Sequence, residues 1–298
     1  MPTVEQLIRA GTNRLEQAQL CYGHGSDNAF DEAAELVFFA ADLRHEDSPA
    51  VYGRSLTAEQ VQVAEELIKR RIDERIPAAY LTKRMWFCGH EFYVDERVLV
   101  PRSPIAELIH AQFAPWVEAG AIRRALDIGT GSGCIAIAMA LAMLDTTVDA
   151  ADVSDDALDV TRINIDRLAV TDRVRAVRSD VFDGLAGARY DLIVSNPPYV
   201  SAAEVDALPT EYEHEPTLGL IAGDDGLSIV RRILAQAEAH LTVNGVLVVE
   251  VGDTEDTVMQ AYPRVPFTWL EFERGGGGVF LLTAKELAQS REHLRLKK

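Results

Sequence analysis

The sequence predicts an open α/β fold on a mostly parallel sheet, with a small helical region and a β-hairpin ahead of it. Three observations predict this. From residue 124 onward, short apolar runs alternate with helical patterns, which is how βαβ units with right-handed crossovers read. Before residue 79 the apolar residues recur at helical spacing, and from Met85 to Val100 the period changes to that of strands. The last two strand-like runs, Trp269 to Glu273 and Val279 to Thr283, are separated by Gly275 to Gly278. That connection is too short for a crossover helix, so the last strand is expected to be antiparallel. The expected organisation is a helical region over 1–78, a hairpin linker over 79–104 and a sheet-bearing region over 105–298.

At the start of the chain, Val4, Leu7, Ile8 and Leu15 share one helix face, and Asp31 to Leu43 gives a compact apolar helix. Thr57-Ala58-Glu59-Gln60 reads as a capping box ahead of Val61, Val63, Leu67 and Ile68. The charged stretch Lys69 to Arg75 is expected to be a solvated helix face, with Pro77 as the stop. In the linker, Trp86, Phe87, Phe92, Tyr93 and Val94 are interrupted by Gly89-His90, and Pro101-Arg102-Ser103-Pro104 breaks the strand before Ile105, Leu108 and Ile109 begin a helix. Arg102 has two readings: a surface arginine beside the linker, or a side chain that reaches a site. Strands are then expected at Ala125 to Ile128, Val148 to Val153, Val174 to Val177, Leu192 to Val194 and Gly245 to Val251, with helices between them. On such sheets ligands bind at the carboxyl ends of strands, where Gly129, Asp152, Asp180 and Asn196 all fall.

Composition narrows the function classes. The 298 residues are 48% hydrophobic and 26% charged, ordinary for a soluble globular chain. No apolar run approaches the roughly 18 residues of a membrane span, so no membrane partner is expected. Met1 to Glu5 lacks the pattern of a signal peptide, which makes the cytoplasm the expected compartment. Three scattered cysteines and histidines without ligand spacing predict neither disulfides nor a metal site. The formal charge of −18 argues against clamping a phosphate backbone, so no stable nucleic-acid binding is expected, and it favours a basic protein partner.

The chemistry-bearing residues form two groups. Asp127-Ile128-Gly129-Thr130-Gly131-Ser132-Gly133 sets three glycines between a strand and a helix, so backbone can approach a ligand closely at a helix N-terminus. A dinucleotide fingerprint needs glycine at 134, where this chain has Cys134, so NAD is disfavoured. Asp152 at a strand end suits a ribose diol, and Asp180 at the next suits an adenine amino group; together they favour an adenosine ligand. The second group is the apolar strand that runs into Asn196-Pro197-Pro198-Tyr199. Pro197 forces Asn196 into an extended shape, and the two prolines remove N–H donors, leaving a stiff turn rich in acceptors. Such a turn can be a plain strand end. It can also hold a planar amino or amide group, taking its hydrogens on the Asn196 side-chain oxygen and the Pro197 carbonyl. Tyr199 either packs on the bound side chain or joins the core.

Taken in this order, Asp127 to Gly133, Asp152, Asp180 and Asn196 to Tyr199 resemble the class I S-adenosylmethionine-dependent methyltransferases. The helical region and the stretch Arg84 to Ile109 further resemble the protein glutamine methyltransferases, so the resemblance covers nearly the whole chain. Pro101-Arg102-Ser103-Pro104-Ile105-Ala106-Glu107 and Trp86-Phe87-Cys88-Gly89 look like the branch acting on the third protein of the large ribosomal subunit. The branch acting on release factors usually reads Pro-Arg-Pro, then an acidic residue and Thr-Glu. The resemblance implies S-adenosyl-L-methionine as cofactor, held by Asp127, Gly129, Thr130, Gly131, Ser132, Gly133, Asp152, Asp180, Val181, Phe182 and Asn196. It implies catalysis by Asn196, Pro197 and Tyr199, with Pro198 and Arg102 also at the substrate, and substrate recognition by the helical region. Val181 followed by Phe182 departs from the release-factor branch, where an aromatic often follows the aspartate directly, and leaves open which side chain covers the adenine.

The expected reaction is methyl transfer to a glutamine amide nitrogen of a basic large-subunit ribosomal protein, with a release factor as the alternative substrate. An adenine-amino DNA methyltransferase would share the Asn-Pro-Pro-Tyr turn, but needs a basic region to hold and open the duplex, and none is visible. A silent adenosine-binding assembly scaffold would not need the intact turn. Between Val200 and Val230 the chain carries Glu204, Asp206, Glu211, Glu213, Glu215, Asp224 and Asp225 without a lysine or arginine. This stretch reads either as a solvated acidic loop or as a rim that steers a basic protein to the site.

Overall fold

The computed structural model describes residues 1–44, 47, 49–118 and 120–295, with Asp206 described by its backbone alone. The chain opens with helices α1 (Val4–Gln17), α2 (Ala29–Ala41) and α3 (Ala58–Asp73). Thr3 with Gln6 and Thr57 with Gln60 close reciprocal capping boxes at the starts of α1 and α3. The predicted face of α1 packs with Leu36, Val37 and Phe38 of α2 and Ala64, Leu67 and Ile68 of α3 in a core of its own. Two expectations fail here. Helix α3 ends at Asp73, and Pro77 instead precedes α4 (Ala78–Thr82), where a missing N–H costs nothing because the first turn of a helix leaves its donors free. Arg71, expected on a solvated face, is fully buried.

Strands β1 (Met85–Phe87) and β2 (His90–Phe92) pair antiparallel as an isolated ribbon. The pairing stops at Phe92; Val94, Val98 and Val100 continue as irregular chain packed on Tyr80, Ala157 and Val160. After α5 (Ile105–His110) come β3 (Arg124–Ile128), α6 (Cys134–Ala142), β4 (Thr147–Asp152), α7 (Asp155–Arg167), β5 (Val174–Arg178) and β6 (Tyr190–Ser195). The rest is α8 (Thr217–Leu220), α9 (Ser228–His240), β7 (Leu241–Glu250), α10 (Glu255–Ala261), β8 (Thr268–Leu270), β9 (Val279–Thr283) and α11 (Ala284–Leu294).

The seven-stranded sheet has the order β5-β4-β3-β6-β7-β9-β8. Its first five strands are parallel, and β9 runs antiparallel to both β7 and β8, as the glycine connection requires. Side chains alternate across the sheet with the two-residue period of a strand. Ala125, Leu192, Val194, Val246 and Val248 face Ile109, Ile135 and Met139 on one side. Leu126, Ile193, Leu247 and Val249 face Val230, Ile233 and Leu234 of α9 and Leu287 of α11 on the other. Burial on both faces explains why these strands read as continuous apolar runs. Each such side chain contributes about 1.5–3 kcal/mol by leaving water. Among the described residues no helix is long and apolar enough to cross a membrane.

Candidate active site

The site forms where β3, β6 and β7 end side by side. Ile128 is in register with Ser195, and Ser195 with Val249. The Ser195 hydroxyl donates to the Ile128 carbonyl at 2.8 Å, tying the base of the glycine loop to the residue before Asn196. A Cβ on Gly129 would stand 3.9 Å from the Asn196 carbonyl oxygen, so the two predicted groups are neighbours.

The glycine loop is shaped by its own backbone. Gly129 and Thr130 N–H groups donate to the Ala151 carbonyl at 2.8 and 3.0 Å, and Gly129, Gly131 and Gly133 all take positive φ. The Gly131 N–H donates to Asp152 Oδ2 at 2.9 Å, while the Ser154 N–H donates to Asp152 Oδ1 at 2.9 Å. Both Asp152 oxygens are therefore held by backbone N–H groups, which fixes the carboxylate at the edge of the loop. Burial raises the Asp152 pKa above its ordinary value. Thr130 and Ser132 are buried, and the Thr130 hydroxyl donates inward to Asp127 Oδ2 at 2.6 Å, which also accepts the Ala136 N–H at 3.2 Å. Asp127 Oδ1 is buried without a partner. Burial pushes this carboxyl up to about 7 even though Thr130 and Ala136 pull it down.

The third strand end is less simple. Asp180 accepts a hydrogen bond from Arg232 at 2.7 Å, so its carboxylate is already paired with α9. Val181 takes a positive φ of 56°, strained for a β-branched residue, and its side chain is buried. Phe182 is 2% exposed and stacks on His240 with ring centroids 4.4 Å apart. Both side chains are thus buried at this strand end, with the Phe182 ring packed on His240.

At the turn, Pro197 is buried and Asn196, Pro198 and Tyr199 are partly exposed. The pairing of Ser195 with Val249 sets Asn196 beside Glu250, whose carboxyl accepts the Ser103 hydroxyl at 2.5 Å. Glu250 is 4% exposed, and burial pushes its pKa up to about 7. Tyr199, Arg102, Ser103 and Glu250 line one side of a cleft of ≈ 410 Å³. Burial, with Glu250 adding to it, pushes the Tyr199 hydroxyl up to about 12. Two glycines wall this turn: a Cβ on Gly226 would come within 2.3 Å of the Tyr199 carbonyl oxygen, and one on Gly252 within 2.7 Å of its ring. Sequence reasoning missed Glu250, yet the signal was present. An acidic residue closing an apolar strand at the ligand edge is the same rule that singled out Asp152.

The segment after Tyr199 departs furthest from expectation. Glu211 is 2% exposed and accepts from Arg71, Arg75 and the Cys21 N–H, at 3.3, 3.5 and 3.0 Å. Arg71 also donates to Glu32 at 3.0 Å and to the Cys21 carbonyl at 2.9 Å. Glu215 receives both arms of the Arg102 guanidinium at 2.6 and 2.7 Å, as well as the Val100 N–H at 3.0 Å. Burial alone would raise Glu215, but the Arg102 hydrogen bonds hold it down at about 2. Arg102 is therefore at the cleft but spends its charge on Glu215. Asp225 pairs with Arg231 at 2.8 Å. Of the predicted acidic rim, Glu204, Glu213 and Asp224 are exposed, and the Asp206 side chain lies outside the described residues.

A parallel sheet closed by an antiparallel final strand, with a glycine loop and an Asn-Pro-Pro-Tyr turn touching at its carboxyl edge, defines a class I methyltransferase. The methyltransferase small domain family matches residues 112–211. Three curated relatives align over almost the whole chain, and each is called ribosomal protein uL3 glutamine methyltransferase. The one from Xanthomonas campestris is 52% identical, with 96% of this chain and 92% of the relative covered. Those from Xylella fastidiosa and Francisella tularensis are 50% and 44% identical, covering 96% and 97% of this chain and 91% and 93% of theirs. The chain belongs to the uL3 glutamine methyltransferase family.

Proposed function

We propose that this chain transfers a methyl group from S-adenosyl-L-methionine to the side-chain amide nitrogen of a glutamine in ribosomal protein uL3, in the cytoplasm. One observation carries the amide chemistry: Asn196 stands in a stiff proline turn against the glycine loop, with Glu250 at the end of the neighbouring strand beside it. The names of the relatives support the substrate. The residues fit the cofactor. The unpaired Asp127 Oδ1 suits the cofactor's ammonium group, and the Asp152 carboxylate, held at the loop by backbone N–H groups, suits its ribose diol. The exposed part of Asp180 is free for an adenine amino group only beside Arg232.

When bound, the cofactor supplies an electrophilic sulfonium methyl. An amide nitrogen is a poor nucleophile because its lone pair is delocalised into the carbonyl. Asn196 Oδ1 and the Pro197 carbonyl accept the two amide hydrogens, favour a pyramidal nitrogen and aim its lone pair outward. Much of the acceleration is then orientation and fixed dipoles. The new N–C bond forms as the S–C bond breaks, and the proton leaves the nitrogen for water once it has become acidic. Tyr199 packs on the glutamine side chain, with Pro198 beside it. The helical region of residues 1–78 is the part that recognises the protein substrate, and residues 79–104 link it to the methyltransferase region.

The test is Asn196→Ala. Methyl transfer to uL3 is expected to fall below detection by mass spectrometry, while calorimetry reads a cofactor affinity close to wild type. Normal turnover in the variant would end the clamp reading. Preferential methylation of a release factor, in competition with uL3, would move the assignment to the other branch.

A further inference from the structure

We infer that Glu250 is a positioning residue that fixes which way round the Asn196 amide faces. The inference rests on the proposed amide clamp, because that clamp works only if Asn196 presents its oxygen, and not its NH2, to the substrate. A side-chain amide is nearly symmetric in shape, so packing alone distinguishes its two faces poorly; its hydrogen-bond partners decide. Glu250 is the last residue of β7, and the neighbouring pair Ser195 and Val249 brings it level with Asn196. An ionised carboxylate only accepts hydrogen bonds. A carboxylate beside the amide therefore favours the orientation that turns the Asn196 NH2 toward it and leaves Oδ1 facing the other way, where the substrate hydrogens arrive. Ser103 donates to Glu250 Oε2 at 2.5 Å, which holds the carboxyl in place beside the turn.

The same arrangement makes the device sensitive to protonation. A protonated Glu250 is also a donor, and it can bond Asn196 Oδ1 as readily as it accepts from the NH2. The bias on the amide is then lost. The burial that raises Glu250 to about 7 brings this change into the range where the enzyme is assayed. Arg102 from the linker and Tyr199 from the turn share the cleft with the carboxyl. Asp27, Glu107, His110 and Arg274 line the same cleft, so the Glu250 effect must be isolated by substitution.

The experiment measures methylation of uL3 from about pH 6 to 9 for wild type, Glu250→Gln and Glu250→Met, with cofactor affinity by calorimetry as the check on folding. Wild-type kcat/KM is expected to rise with pH through an inflection near 7. Glu250→Gln retains an acceptor but no charge to bias the amide. It should lose several-fold in kcat/KM at pH 8 and show no inflection. Glu250→Met removes the acceptor and should lose roughly 10–100-fold, the rate equivalent of one hydrogen bond to a charged group. Cofactor affinity should stay within about threefold in both, since neither change touches the glycine loop. A Glu250→Met enzyme with wild-type turnover, or an inflection that persists unchanged in Glu250→Gln, overturns the positioning role. Those outcomes leave the proposed function standing as long as wild type methylates glutamine. A wild-type enzyme that modifies no glutamine overturns both.

Discussion

The glycine loop from Gly129 to Gly133 and the segment from Glu204 to Glu215 flank the same turn, but they are built from different materials. The loop is held through its backbone N–H groups by the end of the next strand: Ala151 accepts two of them, and Asp152 a third. The segment is held by charged side chains brought from far away, Arg71 and Arg75 on Glu211 and Arg102 on Glu215. A backbone loop needs little beyond the right residue types in order. A buried ion cluster needs the whole fold in place before its charges stop being a liability, since each ion taken out of water costs several kcal/mol until it is paired. The difference separates a cofactor loop that tolerates change around it from a substrate-side segment that depends on the N-terminal helices.

Breaking the cluster should have the largest effect. Arg71→Met takes the arginine from buried Glu32 and leaves Glu211 with Arg75 alone, and a stability loss of about 3–5 kcal/mol is expected by urea unfolding. Proteolysis between Val200 and Val230 should rise with it. A loss under about 1 kcal/mol would mean that apolar packing, and not the ions, holds the segment. On the loop side the effect should be smaller and confined to the ligand. Asp152→Ala is expected to weaken cofactor binding by about 1.5–3 kcal/mol with little change in stability. Wild-type cofactor affinity in that variant would remove Asp152 from the site. Smallest of all is the remaining rim. Changing Glu204, Glu213 and Asp224 to their amides should lower kcat/KM for uL3 by less than about threefold near 0.15 M salt, because exposed charges are screened beyond roughly 8 Å. A tenfold loss that vanishes at high salt would restore a steering role to the few charges still exposed.

Legibility in the sequence follows the same division. The sheet strands, the capping boxes at Thr3 and Thr57 and the antiparallel β9 are local or periodic features, and each is visible as a spacing. The adjacency of Gly129 and Asn196 follows from strands ending at one edge. Arg71 was not legible because a charged residue in a charged run carries no mark of burial; its partners Glu32 and Glu211 lie 39 and 140 residues away. The same holds for Glu215, which reads like its exposed neighbour Glu213 until Arg102 is placed against it. Phe182 was illegible in another way. The left-handed Val181 and the stack of the Phe182 ring on His240, 58 residues away, carry no mark in the local sequence.

Gly226 and Gly252 carry a consequence for anyone mapping this enzyme by saturation mutagenesis. Neither has a side chain to offer chemistry, yet the space that a methyl group would need is filled by Tyr199, and both take φ values that other residues adopt only with strain. An activity screen across all 298 positions would therefore score them with Asn196 and above Asp180. Loss of function alone would rank two spacers as catalysts. Only a second channel, such as retained cofactor binding, separates a position that reacts from one that must simply stay out of the way.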